Sequence, residues 1–368
     1  MARIKKSFIV SVGFVVSFLL GYRTNTAYDR YWEGLRIWST MVVAIRNMTR
    51  IIWVNIKEKK GEESKHLLEK KTVINLLLGF AIATKHFLRE EQGCDHQDLK
   101  PYITNIHSEL TEFSAKRNSK IQNKKKSSFL NSIFKFFGKD SEIDANLIAN
   151  KNLPLEISLY ISSYITTQKE RGSTDDASIS ILYANLCTLV DCLTNLERVL
   201  RSPIPLAYAI HLTQVTWLYC LSLPFQLVAD LGWITIFVTF IATITLLGIE
   251  KIGEEIENPF GHDENDLNLD DFCGILKQEL SYITANKTPK MEDWIFNSQN
   301  HPFDSDNITA RQASNLKINE VQSILKKDDL QNRNISNVLN RELEILEMNR
   351  TDSQDTLKQE MVINMETK

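Results

Sequence analysis

Residues 18–32 read FLLGYRTNTAYDRYW. An uncharged run that starts at Ser7 breaks within a few residues into Arg23, Asp29 and Arg30, interleaved with Tyr22, Tyr28, Tyr31 and Trp32. A soluble core helix spreads its charges along one face. Here apolar and charged residues are separated end to end, the pattern of a helix that crosses a membrane boundary. Beyond Arg23 the residues Trp32, Leu35, Ile37, Trp38, Met41, Val42, Ile45 and Ile52 recur at helical spacing, so the same helix is expected to continue into the aqueous phase. The basic start MARIKK followed by an uncharged run also has the shape of a signal peptide, but no A-x-A-like cleavage site follows it.

Outward from that stretch, composition alone is misleading. The chain has 368 residues, 43% hydrophobic and 24% charged, with a net charge of −3, which would suit an ordinary globular protein. Yet residues 202–229 hold no Asp, Glu, Lys or Arg, and after Asp230 the run Leu231 to Ile249 is again uncharged. Each is long enough to cross ~30 Å of hydrocarbon. The sequence therefore reads as an integral, multi-pass membrane protein with large aqueous parts. Five cysteines without a C-x-x-C pair read as free thiols and argue against a disulfide scaffold or a zinc site. The weak net charge gives no reason to invoke nucleic acid. No nucleophile elbow, phosphate loop or paired metal-ligand helix motif points to an enzyme.

The intervening segments read as follows. Residues 72–88, TVINLLLGFAIATKHFL, lie between charge clusters and end in Lys85 and His86, as expected for a buried cytosolic helix in a bundle. A basic insertion spans 116–140. It opens on KRNSKIQNKKK and closes on SSFLNSIFKFFGKD, where Phe129, Leu130, Ile133, Phe134, Phe136 and Phe137 stand beside lysines. That second stretch suits either the headgroup layer of an anionic membrane or packing against its own domain. Helical spacing returns from Ala184 to Leu200, and RSPIP then ends the helix because Pro203 and Pro205 lack a donor. Trp217, Tyr219 and Trp233 suit interfacial or bundle-packing roles. His86 and His211 read as isolated, packed side chains. Residues 286–368 are expected to form a polar, largely disordered tail with some short helices around 316–348.

GYRTNTAYDRYWEGLRIWS, PIPLAYAIHLTQVTWLYCLSLPFQLVADLGW and LLGIEKIGEEIENPFGHDENDLNLDDFC together resemble three signature blocks of the bestrophin family of anion channels, in its bacterial, plant and fungal branch. The resemblance runs from about Val12 to Leu280. It implies an all-α fold: a homopentamer whose subunits combine a helical transmembrane bundle with a large cytosolic helical bundle around one axial pore. On this chain it implies a pore-lining helix at 7–22, a cytosolic helical domain at 23–201, two transmembrane helices at 202–250 and a cytosolic acidic loop and helix at 251–285. The family's first transmembrane helix has no counterpart here, and the family's orientation would set MARIKK away from the cytosol, against the positive-inside tendency. An incomplete gene model is the expectation.

The resemblance also assigns sites. The family's neck carries three apolar side chains at i, i+4 and i+8, which fall on Phe14, Phe18 and Tyr22, one face of a helix. Aromatic edges carry partial positive charge and aromatic bulk gates by dewetting, so such a ring suits chloride and other small anions. Packing against lipid or other helices is the alternative for the same pattern. Arg23 and Arg30 are the nearest fixed positive charges and could concentrate anions; pairing with Asp29 or Glu33, or headgroup anchoring, is the competing role. A second, cytosolic aperture falls near Ile181 or Leu182. The side-chain ligands of the calcium clasp of animal bestrophins fall on Glu255, Asn258, Asp263 and Asp266, hard oxygen donors without EF-hand spacing. An acidic loop that caps a helix is the alternative there. The function implied is passive anion flux through a pentameric pore. A non-conducting membrane scaffold or lipid-binding protein is the alternative.

Overall fold

The computed structural model describes residues 6–91, 96–104, 106, 152–304, 307–336 and 339–343. Every regular element among them is a helix. The basic insertion with its amphipathic stretch, Cys94, and the chain beyond residue 343 lie outside the described residues. Two compact units divide the chain, Met1–Asn286 and Lys287–Lys368.

The first unit is organised by α1, Lys6–Val54, 49 residues without a break. At 1.5 Å per residue it is about 73 Å long, more than twice the ~30 Å hydrocarbon thickness. No proline interrupts it. The expected continuation of the helix past Arg23 is therefore seen directly. Its buried residues Val16, Leu20, Ala27, Trp38, Met41, Ile45, Met48 and Ile52 follow helical spacing along one face.

Lower down, α1 packs in one continuous core with α2 (Glu63–Leu88), α4 (Leu153–Arg171), α5 (Asp176–Arg201) and α8 (Leu269–Ala285); a single turn, α3 (Lys100–Ile103), lies between α2 and α4. Helix α2 is buried on all sides from Leu76 to His86, which explains its uniformly apolar sequence. Asn152 caps α4 by accepting from the Leu155 N–H at 3.1 Å, and Gly172 ends it with a left-handed φ of 60°. Asp175 caps α5 in the same way, accepting from the Ser178 N–H. The buried seam of α5, Ile179, Leu182, Leu186, Leu189, Leu193 and Leu196, alternates steps of three and four as a core-facing helix must.

After the prolines, α6 (Leu206–Leu231) and α7 (Ile234–Glu255) run back against the N-terminal part of α1. Val16, Leu20 and Leu212 form a small core there, and Tyr208, Tyr219 and Leu246 pack on it. By length and apolar composition both α5 and α7 could cross a membrane, but 39% of the α5 window is buried against 11% for α7. Helix α5 is thus a core helix, while α7 turns large apolar side chains such as Phe237, Phe240 and Ile241 outward.

The second unit holds two short helices, α9 (Met291–Ile295) and α10 (Ala310–Ala313), and a helical run over 318–336. Thr309 and Gln312 form a reciprocal capping box at the start of α10. Phe303, Ala310 and Ala313 are its buried apolar residues.

Candidate functional site

Phe14 and Phe18 stand on the side of α1 opposite the one that packs on α6 and α7, and Tyr22 stands at the edge of that face, its ring meeting Tyr208 of α6 edge-on with centroids 6.3 Å apart; 72%, 66% and 60% of their surfaces are exposed. The packed side is fixed by Val16, Leu20 and Gly13. A Cβ at Gly13 would lie 2.4 Å from the Tyr219 hydroxyl, so only glycine lets α1 and α6 approach this closely. Val10 extends the same stripe one turn toward the N-terminus. Burying one such side chain is worth about 1.5–3 kcal/mol, so a row of them cannot face bulk water without large cost. Lipid, another copy of the chain or a dewetted constriction must cover it. Past Tyr22 the outward face turns polar, with Asn25, Asp29 and Arg36 exposed.

Arg23 and Arg30 leave this face. Arg23 is almost completely buried, its guanidinium 4.0 Å from Glu250 and 3.6 Å from Glu257, with Nε lacking a partner. Arg30 donates from Nε to the Glu257 carbonyl at 3.0 Å, from one terminal nitrogen to the Val199 carbonyl at 2.7 Å and from the other to the Ser202 carbonyl. Burial lowers its pKa, opposed by Glu257 and Glu33. The Glu257 carboxylate also accepts from the Ile204 N–H at 3.0 Å. These two arginines therefore pin the end of α5, the proline turn and the end of α7 to α1. Their partners are Glu250, Glu257 and backbone carbonyls; a search of their immediate sequence neighbours could not have found them.

The end of α7 and the loop after it carry Glu255, Asn258, Asp263 and Asp266. Glu255 accepts from the Asn265 amide at 2.8 Å, and Asp266 accepts from the Asp263 N–H at 2.8 Å. Burial raises the pKa of Asp266, and the charges of Asp263 and Glu255 raise it further. Its Oδ1 is buried without a hydrogen-bond partner. Gly261 leaves Asp266 its place: a Cβ there would stand 2.6 Å from Asp266 Oδ2, and the carboxylate would have to move. The same loop is anchored to α1 by Phe260, fully buried, whose ring meets Gly34 so closely that a Cβ there would lie 3.0 Å away.

Of the two residues at the expected cytosolic aperture, Leu182 is entirely buried in the core and Ile181 is half exposed on α5. His211 is exposed on α6 rather than packed. His86 is buried but not isolated: His96, Glu91 and Asp98 surround it. The sequence reading missed that convergence although the groups lie close in the chain, because their spacing matches no ligand motif.

A family model described as bacterial/fungal bestrophin protein matches residues 1–282. The chain belongs to the bacterial and fungal bestrophin family. A voltage-dependent anion channel-forming protein of Synechocystis sp. is 38% identical over 75% of this chain and 76% of its own length. One of Nostoc sp. is 39% identical over 74% and 75%. The bestrophin homologue of Klebsiella pneumoniae has the same fold, with a TM-score of 0.59 at 23% identity over 77% of this chain and 90% of that one. As a bestrophin the chain is an integral membrane protein with an all-α fold. The orphaned, buried Asp266 oxygen and its repulsion by two neighbouring carboxylates are what a hard cation would relieve.

Proposed function

We propose that this bestrophin is an anion channel, assembled as a homopentamer and passing chloride through an axial pore whose neck is lined by Phe14, Phe18 and Tyr22. One observation carries the reading: three large aromatic side chains at i, i+4 and i+8 are exposed along one side of α1, Tyr22 also meeting Tyr208 of α6 edge-on. The names of the Synechocystis and Nostoc relatives support anion conduction. In the pentamer, residues 7–22 and 202–250 span the membrane, and 23–201 and 251–285 form the cytosolic bundle. A ring of aromatic edges stabilises a weakly hydrated anion, and the same rings exclude water when closed. Ile181 is the residue of α5 that suits a second apolar ring. Glu255, Asn258, Asp263 and Asp266 would hold calcium, which would stiffen the loop that Phe260 ties to α1. Nothing in this reading requires bond-making chemistry, and the chain acts as a conduit rather than an enzyme.

The test is halide efflux from liposomes holding the purified chain, beside the Phe14→Ala, Phe18→Ala, Tyr22→Ala variant, with assembly measured by native mass. A pentamer whose flux rises or loses selectivity in the variant supports the reading. A folded pentamer that passes no halide in either form, but binds acidic lipid, favours the scaffold instead.

A further inference from the structure

A second cluster of chemistry lies away from the stripe and borders the acidic loop. His86, Glu91 and His96 each present a ligand atom, and these atoms lie within 4.8 Å of one another. The His86 and His96 rings stack with centroids 3.8 Å apart and planes 10° from parallel. One oxygen of Glu91 meets His86 Nδ1, and the other meets His262 Nε2 at 2.9 Å. Two imidazoles and a carboxylate therefore converge from the end of α2 and the segment that follows it, and His262, from the loop before α8, reaches the far oxygen of Glu91.

Two details separate this group from a merely hydrogen-bonded cluster. First, His96 Nε2 is buried and has no partner. A buried ring nitrogen without a hydrogen bond is costly unless something else occupies it. Second, the far nitrogen of His86, Nε2, is held by Asp98 at 2.9 Å, and Asp98 is itself held by Lys85. A carboxylate behind a histidine fixes its tautomer and aims its other nitrogen, which is the usual outer arrangement around a metal-bound imidazole. The charges of Lys85 and Arg89 are taken up by Asp98 and Asp270, so they do not compete for the histidines.

We propose that His86, Glu91 and His96, with His262 as a fourth donor, form a binding site for a divalent transition metal of the zinc class. Imidazole nitrogen with one carboxylate oxygen suits Zn²⁺, and not Ca²⁺ or Mg²⁺, which take oxygen ligands. Zinc–nitrogen bonds of about 2.0–2.1 Å in a tetrahedral site place ligand atoms roughly 3.3–3.4 Å apart, so side-chain rotations that shift the ligand atoms by about 1.5 Å or less complete the site. The site is distinct from the oxygen-rich loop of Glu255 and Asp266, although His262 sits within that loop. A bound ion would join the segment after α2 to the loop before α8.

The experiment uses the full chain in detergent, stripped with a chelator and titrated with Zn²⁺ against a chromogenic competitor. The site predicts one zinc per chain and an affinity that falls at least tenfold in His96→Ala. His262 is 66% exposed at its side chain, so His262→Gln leaves the fold intact and should also weaken binding tenfold or more, while His301→Gln changes nothing. Zinc-edge X-ray absorption should show nitrogen and oxygen only. Zinc bound equally well by both cluster variants, sulfur in the first shell, or no zinc bound by the wild type would each overturn the assignment.

Discussion

Replacing Phe260 with Ala empties the contact between the acidic loop and α1. The ring is fully buried, faces Gly34 and lies beside Leu267. Phe→Ala changes at such sites cost about 3–5 kcal/mol, because the lost transfer energy is joined by a cavity that the rigid α1 backbone cannot close. Phe260→Leu keeps much of the volume and should cost about 1 kcal/mol. The loss is expected to be local to the loop, whose other ties are mostly its own short-range hydrogen bonds, such as Leu267 N–H to the Pro259 carbonyl at 2.9 Å, Asp266 N–H to the Asp263 carbonyl at 3.0 Å and Asp263 N–H to Asp266 at 2.8 Å, with the contact of His262 to Glu91. At 1.4 kcal/mol per factor of ten, opening of the loop should become roughly 100- to 4,000-fold more frequent in Phe260→Ala. Amide hydrogen exchange in detergent reads this directly: Leu267 and Asp266 should exchange that much faster, while α2 amides stay protected. Unchanged exchange in the loop, or equal acceleration throughout the bundle, would refute the idea that Phe260 is what fastens the loop to α1.

Arg30→Met should lower stability by about 3 kcal/mol by stranding three carbonyl acceptors, and Arg30→Lys should recover little, because one ammonium cannot replace a planar fork; thermal melting against an Arg36→Ala control decides it. Gly13→Ala should cost about 1–3 kcal/mol through its clash with Tyr219, with partial relief in Gly13→Ala, Tyr219→Phe, where the hydroxyl is gone but a ring carbon still stands 2.9 Å from the new methyl. Glu69 is held below its ordinary pKa of 4.5 by the guanidinium of Arg171, which donates to it at 2.6 Å. A carboxyl more acidic folded than unfolded adds stability that is whole above pH 4.5 and is lost as pH falls through its folded pKa. Melting curves across that range should therefore be less steep in pH for Arg171→Gln than for the wild type.

What was legible in the sequence is what local pattern encodes. The unbroken α1 follows from an apolar run that passes into helical periodicity at Trp32 to Ile52, whereas Phe14, Phe18 and Tyr22 are singled out only by the resemblance to the family's neck block. The uniform apolarity of 72–88 marked a helix buried on every side. Long-range partners were not legible. Arg30 and Glu257 are 227 residues apart, so local reading offered Asp29 and Glu33 instead. Ile181 and Leu182 are adjacent and chemically alike, and only the packing of α5 makes one core and the other exposed. His86 looked solitary because His96 and His262 reach it through folding, and no spacing motif records that approach.

The central claim is that the outward face of α1 lines the conducting path. Single cysteines at positions 10 to 22, in a chain whose native cysteines are replaced by alanine, can be probed with a membrane-impermeant thiol reagent while anion current is recorded. The account predicts rapid modification and block at Phe14→Cys, Phe18→Cys and Tyr22→Cys, and none at Val16→Cys or Leu20→Cys, which pack against α6 and α7. Block that ignores this helical period, or its absence at all three stripe positions in a conducting pentamer, would contradict it.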